Sequence, residues 1–153
     1  MATVEERLEA LGLTVHEVVP PLAAYVPAVL SGRYVYTSGQ LPMVDGKLLE
    51  TGKVGAEVTP ERAAELAAVC ALNAIAAVKS VAPLESVIRV VKITGFVASA
   101  PDFTGQPAVM NGASNLLLEA FGDAGAHARS AVGVAVLPLD SPVEVEMVVE
   151  LAE

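Results

Sequence analysis

The sequence contains one cysteine, no tryptophan and few basic residues. Cys70 has no second cysteine to pair with, so an intrachain disulfide is excluded, which is typical of proteins from a reducing compartment. Nine Lys and Arg residues against 18 Asp and Glu residues give a net charge of −9. This excess argues against nucleic acid or an anionic membrane surface as a partner. His16 and His127 lack the spacing of metal ligands, so we expect no metal site.

Long hydrophobic runs are also missing. No apolar run reaches the roughly 18 residues that a membrane span requires, and the first segment, "MATVEERLEALG", is acidic and amphipathic where a signal peptide would be apolar. We therefore expect a cytoplasmic protein with a single domain over residues 1–153. Its apolar content of 54% lies mostly in Ala and Val, and such an excess often covers a subunit interface.

Capping signals predict three helices. Thr3 and Glu6 form a capping-box pattern at the start of an extra N-terminal helix within residues 1–12. Thr59-Pro60-Glu61 combines a cap, a proline at the first helical position and an acid in the first turn, and predicts a helix to about residue 81. A further helix follows a loop within residues 101–122 and ends at Gly122.

Alternating and β-branched segments predict the strands. A hairpin turned at Ser31-Gly32 is expected over residues 24–30 and 33–39. Residues 86–99 are apolar on both faces, which is typical of an interior strand. Two last strands, 129–137 and 143–151, are joined by a corner from Pro138 to Pro142. The order α-ββ-α-β-α-ββ predicts an α+β sandwich: a mixed sheet with two main helices on one face.

The last two strands suggest a register of their own. If Val136 pairs with Val143 through the corner, the valines of both strands lie on one face, under the helices. The other face then carries Arg129, Ala131, Gly133 and Ala135 beside Glu144, Glu146, Val148 and Glu150. Small residues on this face suit the close approach of another chain or a ligand.

The same register separates the two most interesting charged residues. It places Arg129 opposite Glu150, with Glu144 six residues away, or roughly 20 Å at ~3.3 Å per residue. Arg129 and Glu144 of one chain could then not serve one small-molecule site. If both belong to a site, that site must cross a subunit boundary.

Two segments resemble a known family. "YVYTSGQLP" (34–42) and "ARSAVGVAVLPLDSPVEVEMV" (128–148) are similar to the signature stretches of the YjgF family of reactive-intermediate deaminases, and the resemblance covers about residues 20–152. It implies a chorismate-mutase-like sandwich that assembles as a homotrimer with clefts between subunits. It also implies hydrolysis of enamine and imine carboxylates, such as 2-aminoacrylate, to a 2-oxo acid and ammonia, without a cofactor.

The resemblance also implies roles for individual residues. Arg129 matches the arginine that grips the substrate carboxylate, and Glu144 matches the carboxylate associated with the hydrolytic water. Tyr25 and Ser38 match a tyrosine and a serine that line the cleft. A bidentate guanidinium–carboxylate pair suits a planar imino acid, and a group that orients water must lie within hydrogen-bond reach of it.

Three positions leave alternatives open. Asn111 is the preferred match for the cleft asparagine, and Asn115 is the competitor. Ala131 stands where many active members have cysteine, so the exact substrate and activity itself are open. His127 is a candidate cleft residue beside Arg129. The alternative function is a trimeric protein that binds or senses a small 2-oxo acid without turnover.

Overall fold

The protein is described from a computed structural model that covers residues 1–18, 20–21 and 23–153. Over these residues the chain forms three α-helices and seven β-strands. The helices are α1 (Val4–Ala10), α2 (Pro60–Lys79) and α3 (Gln106–Phe121). The strands are β1 (Ala28–Ser31), β2 (Tyr34–Thr37), β3 (Met43–Val44), β4 (Lys47–Leu48), β5 (Val87–Ala98), β6 (Ala128–Val134) and β7 (Val143–Leu151). Among the described helices, none has the length and apolarity needed to cross a bilayer.

The predicted helix starts are confirmed. The Thr3 side chain accepts a hydrogen bond from the Glu6 amide, and the Glu6 side chain accepts one from the Thr3 amide, which completes the capping box. Thr59 caps α2 by accepting from the Arg62 amide at 3.1 Å. Gly122 has a positive φ of 64° directly after α3, so the chain leaves the helix in a conformation that glycine adopts without strain.

Helices α2 and α3 pack closely on one face of the sheet. A side-chain carbon at Gly112 would overlap the backbone carbonyl of Ala64, so glycine is required for this approach. Most of the small residues of α2, including Cys70, are fully buried in the same core. Burial raises the pKa of the Cys70 thiol, which makes it an inert core residue.

The five-stranded sheet has the order β1-β2-β7-β5-β6. Strand β5 runs antiparallel to β7 and parallel to β6, so the sheet is mixed and the predicted α+β class is confirmed. The hairpin of β1 and β2 is also present, but Ser31 pairs with Tyr34. Its turn is therefore formed by Gly32 and Arg33, one residue later than predicted.

The predicted pairing of the last two strands is wrong. Strand β6 does not lie beside β7, because β5 is inserted between them. The corner around Pro138 therefore carries the chain across β5 instead of closing a hairpin. Ile93 of β5 is aligned with Arg129 on one side and with Met147 on the other. Arg129 is accordingly not opposite Glu150.

The predicted faces of β6 are also reversed. Arg129, Ala131 and Gly133 face the helices, since their partners in the parallel register are residues of β5 that face the core. A side-chain carbon at Gly133 would lie 2.8 Å from the Gln106 side chain at the start of α3. The small residues thus let α3 approach the sheet. Val132, by contrast, lies on the other face and is 43% exposed.

This other face, which α2 and α3 do not cover, is called the open face below. Its central rows carry several apolar side chains: Val29, Tyr36, Phe96, Val132 and Val148. Tyr36 is 49% exposed and Val29 is 51% exposed. A polar row formed by Thr94, Ser130 and Glu146 separates Tyr36 and Val29 from Val132. Exposed apolar side chains clustered in this way mark an interaction surface more often than single ones do.

Candidate active site

Arg129 lies where the first residues of β6 pass under α3. Its Nη1 donates to Asn111 Oδ1 at 2.9 Å and to Ser114 Oγ at 3.2 Å. Both partners are on α3, three residues apart, so they share one face of the helix. No acidic side chain of the described residues lies within ion-pair distance of this guanidinium. The arginine is therefore oriented by neutral groups.

Ser114 links Arg129 to a histidine. Its Oγ lies 2.9 Å from His127 Nε2, and His127 Nδ1 lies 2.6 Å from the carbonyl oxygen of Gly125. The four side chains Arg129, Asn111, Ser114 and His127 are called the arginine cluster below. Ser114 is 9% exposed, so water competes little for its hydrogen bonds.

The arginine cluster opens on a surface pocket of about 290 Å³. Arg129, Ser114 and His127 form its polar side, and Leu118 and Ala126 form its apolar side. A volume of this order accommodates a small carboxylic acid. The arrangement offers a cation to the carboxylate and an apolar wall to the remainder of the molecule.

A second pocket, the glutamate cleft, lies beside the end of β2. It has a volume of about 180 Å³. Tyr25 and Glu144 supply its most reactive groups, and the chain at Gly39–Leu41 and Pro138 form further walls. The cleft therefore combines a carboxyl group, a phenol and backbone where β2 ends and β7 begins.

Glu144 is held in an unusual environment in this cleft. A side-chain carbon at Gly39 would overlap the Glu144 carboxylate, so the carboxylate rests directly on the glycine backbone. Burial, and secondly the negative charge of Glu146, raise the pKa of Glu144 above its ordinary value. A raised pKa makes a carboxyl group a better proton acceptor when ionised, which suits a group that exchanges protons with a substrate.

Ser38 and Ala131 lie near the two pockets but do not line them. Ser38 Oγ donates to the carbonyl of Val26 at 2.6 Å, so its hydroxyl holds the segment that follows Tyr25. Ala131 lies on the helix side of β6, half-buried against the core. It is two residues beyond Arg129 on the same face, or about 7 Å along the strand.

Within one chain the two charged residues are far apart. Glu144 is aligned, through Phe96, with Val132. Arg129 is three residues from that row, so the two Cα atoms are separated by about 10 Å along the strands and about 10 Å across them. Arg129 also faces the helices, whereas Glu144 alternates with the buried Val143 and Val145 and so faces away from them. The predicted distance of roughly 20 Å is therefore wrong, because these offsets combine to about 14 Å. The two side chains are kept apart because they lie on opposite faces of the sheet.

Sequence reasoning missed Ser114 and Gly39. The spacing of Asn111 and Ser114 on α3 could have indicated a shared polar face, but it does not reveal which strand lies beneath. Glu150, predicted opposite Arg129, instead lies 3.5 Å from Arg33. No group of three or more His, Cys, Asp or Glu side chains suited to a metal ion occurs among the residues described.

Comparison with known proteins places this geometry in a family. The sequence profile of the family described as "YjgF/chorismate_mutase-like, putative endoribonuclease" matches residues 5–151. The chain belongs to this family. The match extends into α1 and includes both pockets.

Relatives of the chain share its full length. It is 43% identical to Protein TCP17 of Trypanosoma cruzi over 150 residues, covering 97% of this chain and 94% of the relative. The crystal structure of Atu1372 from Agrobacterium tumefaciens, a protein of unknown function, matches with 45% identity and a TM-score of 0.91, covering 99% of this chain and 94% of the other. A Shewanella oneidensis structure, named as a "putative endoribonuclease", matches with 36% identity and a TM-score of 0.95, covering 98% and 100%.

Proposed function

We propose that this protein is a cofactor-free deaminase of small enamine and imine carboxylates, acting in clefts between the subunits of a homotrimer. It would convert compounds of the 2-aminoacrylate type to a 2-oxo acid and ammonia. The observation that carries the proposal is the arginine cluster, a guanidinium oriented by neutral hydrogen-bond acceptors beside a pocket with an apolar wall.

Arg129 would bind the carboxylate of the substrate. Its hydrogen bonds to Asn111 and Ser114 both use Nη1, which leaves the N–H groups of Nη2 and Nε for a ligand. These two donors point in parallel from one edge of a guanidinium and match the two oxygens of a carboxylate. The neutral partners leave the positive charge uncompensated, which strengthens its attraction to an anion.

Glu144 would handle the protons of the hydrolysis. An enamine first takes a proton at carbon to give the iminium ion, and water then adds to the C=N carbon and gives up a proton to the base. Proton transfer to nitrogen makes ammonia the leaving group, and the hydroxyl loses its proton as the C–N bond breaks and the 2-oxo acid forms. The raised pKa of Glu144 suits a group that takes a proton from water and returns it to the leaving nitrogen. Tyr25, in the same cleft, would contact the substrate.

A complete site would need two copies of the chain. Arg129 and Glu144 of one protomer lie on opposite faces of the sheet, so one small molecule cannot contact both. The open face, with Tyr36 and Val132 exposed, offers a surface for association with a second copy. Ser38 and Asn111 would support the site by holding the neighbours of Tyr25 and the guanidinium of Arg129.

The experiment supplies imines and follows their hydrolysis. An amino acid oxidase generates 2-imino acids in the presence of the purified protein, and ammonia and 2-oxo acid are measured with time. We expect acceleration by the wild type and a loss of roughly 100-fold or more for Arg129→Ala, as for the removal of a charged hydrogen-bonding group. Arg62→Ala, which removes a guanidinium paired with Glu50 and Glu65, is the matched control. Equal rates for Arg129→Ala and the wild type would refute the proposal.

Two alternative functions can be tested with the same purified protein. If the protein binds 2-oxobutyrate but does not accelerate imine hydrolysis, it is a non-catalytic 2-oxo acid binder. Ala131, which stands in place of the frequent cysteine, favours this alternative. The description of the family and the name of one relative include endoribonuclease. The net charge of −9 opposes RNA binding, and an RNA cleavage assay with the wild type would test it directly.

A further inference from the structure

We propose that Ser114 and His127 are positioning residues for Arg129, and that together they set the affinity of the arginine for a carboxylate ligand. The inference rests on the proposed function, because it takes Arg129 as the group that binds the ligand. It concerns two residues that do not themselves need to touch the reacting atoms.

The chain of hydrogen bonds has one direction. The guanidinium of Arg129 can only donate, and the carbonyl of Gly125 can only accept. His127 Nδ1 must therefore carry a hydrogen and donate to Gly125. In the tautomer that carries its hydrogen on Nδ1 alone, Nε2 is an acceptor. In that tautomer Ser114 accepts from Arg129 and donates to Nε2. Each group thus donates to the next, and the carbonyl fixes the direction of the whole chain.

The local backbone is built to hold this arrangement. A short 3₁₀ helix, Gly122–Gly125, follows α3 and brings the Gly125 carbonyl to His127. A side-chain carbon at Gly125 would overlap the backbone carbonyl of Leu117, so only glycine lets this turn pack against α3. The histidine is therefore held from both ends, by the turn and by Ser114.

Holding Ser114 matters because a free hydroxyl rotates. If its hydrogen points at Nε2, both of its lone pairs are available, and one of them faces Arg129 Nη1. Without His127 the hydroxyl could take orientations in which its hydrogen faces the guanidinium, and the arginine would lose one of its two fixed contacts. A long side chain that is not fixed loses more conformational entropy when it binds a ligand.

The test measures binding of 2-oxobutyrate by calorimetry, so that it does not depend on turnover. We expect Ser114→Ala to weaken binding roughly tenfold and His127→Phe, which keeps a ring but removes both nitrogens, to weaken it roughly threefold to tenfold. His127→Gln restores an acceptor at the distance of Nε2 and should recover most of the affinity. His16→Phe, at an exposed histidine outside both pockets, is the matched control and should bind as the wild type does.

The double variant separates positioning from general packing. If His127 acts through Ser114, adding His127→Phe to Ser114→Ala should produce no further loss of affinity. Additive losses, or failure of His127→Gln to recover binding while its thermal unfolding matches the wild type, would overturn the inference. Arg129→Ala separates a failure of this inference from a failure of the proposed function. If Arg129→Ala leaves binding unchanged, the proposed function itself fails. If it abolishes binding while Ser114→Ala and His127→Phe bind normally, only the present inference fails.

Discussion

Arg129 of β6 and Asn111 of α3 are joined by a 2.9 Å hydrogen bond from the guanidinium to the side-chain carbonyl oxygen. The two asparagines of α3 therefore differ in what they contact: both are exposed, but only Asn111 makes a side-chain hydrogen bond to Arg129, and Asn115 lies one turn further along the helix. The bond also fixes the orientation of β6, since it requires Arg129 to face the helix layer.

The two asparagines provide the first prediction. Asn111→Ala removes an acceptor from a charged donor, and we expect the affinity for 2-oxobutyrate to fall roughly tenfold. Asn115→Ala, a matched change on the same helix, should leave affinity unchanged within experimental error. Calorimetric titration of both variants checks this. A larger loss for Asn115→Ala would reverse the assignment of the cleft asparagine.

Gly39 and Glu144 provide the second prediction. A methyl group at position 39 would occupy the place of the Glu144 carboxylate, so Gly39→Ala should displace that carboxylate and reduce imine hydrolysis by about tenfold or more. In the Glu144→Gln background the same change should cost little further activity, because the displaced group is already inactive. Initial rates of all four proteins test this, and independent losses would show that Gly39 acts elsewhere.

Glu144 also predicts a dependence of stability on pH. Its pKa is raised in the folded protein, so the folded state disfavours the ionised form more than the unfolded chain does. Below the unfolded pKa of about 4.3 both states hold the proton. As the pH rises through the folded-state pKa, stability is lost. Glu144→Gln stays neutral, and its Tm should match that of the wild type at pH 4 and exceed it at pH 8.

The control for this measurement is Glu119→Gln, at an exposed acid of α3. Thermal unfolding at both pH values should show no comparable gain for this variant. An equal Tm for Glu144→Gln and the wild type at pH 8 would contradict the environment assigned to Glu144.

The open face provides a fourth prediction, on assembly. Tyr36→Lys and Val132→Lys place charges on exposed apolar positions of this face, and a buried unpaired charge at an interface costs several kcal/mol (roughly 2–5). We expect the wild type to have the mass of a trimer at micromolar concentration in light scattering and these variants to be monomeric. Val81→Lys, at an exposed position after α2, should remain trimeric. A monomeric wild type would disprove the predicted assembly.

Local signals in the sequence predicted the helices well. Thr59 followed by Pro60 marks the start of α2, since a hydroxyl cap and a fixed φ act within a few residues and need no distant partner. Gly122 marks the end of α3 for the same reason. The length and apolar character of β5 also predicted an interior strand, with neighbours on both sides.

The arginine cluster could be predicted only in part. The resemblance identified Arg129 and Asn111, but Ser114 and the role of Gly125 depend on how the 3₁₀ turn folds back on α3. The role of Gly39 could not be predicted either, because this glycine leaves space for Glu144, a residue 105 positions away in the chain. Contacts between distant segments of this kind leave no periodic pattern in a sequence.

The sequence by itself determined the three helices and the strands of the large sheet, because caps, prolines and alternation act locally, but it did not predict the short strands β3 and β4. It also determined that β6 has one face of valines and one face of small residues. Only the tertiary structure decided which of these faces meets the helices. Insertion of β5 between β6 and β7 turns Arg129, Ala131 and Gly133 towards α3, where small side chains permit close packing, and leaves Val132 on the open face. An alternating pattern specifies two faces, but only the neighbouring strand assigns them.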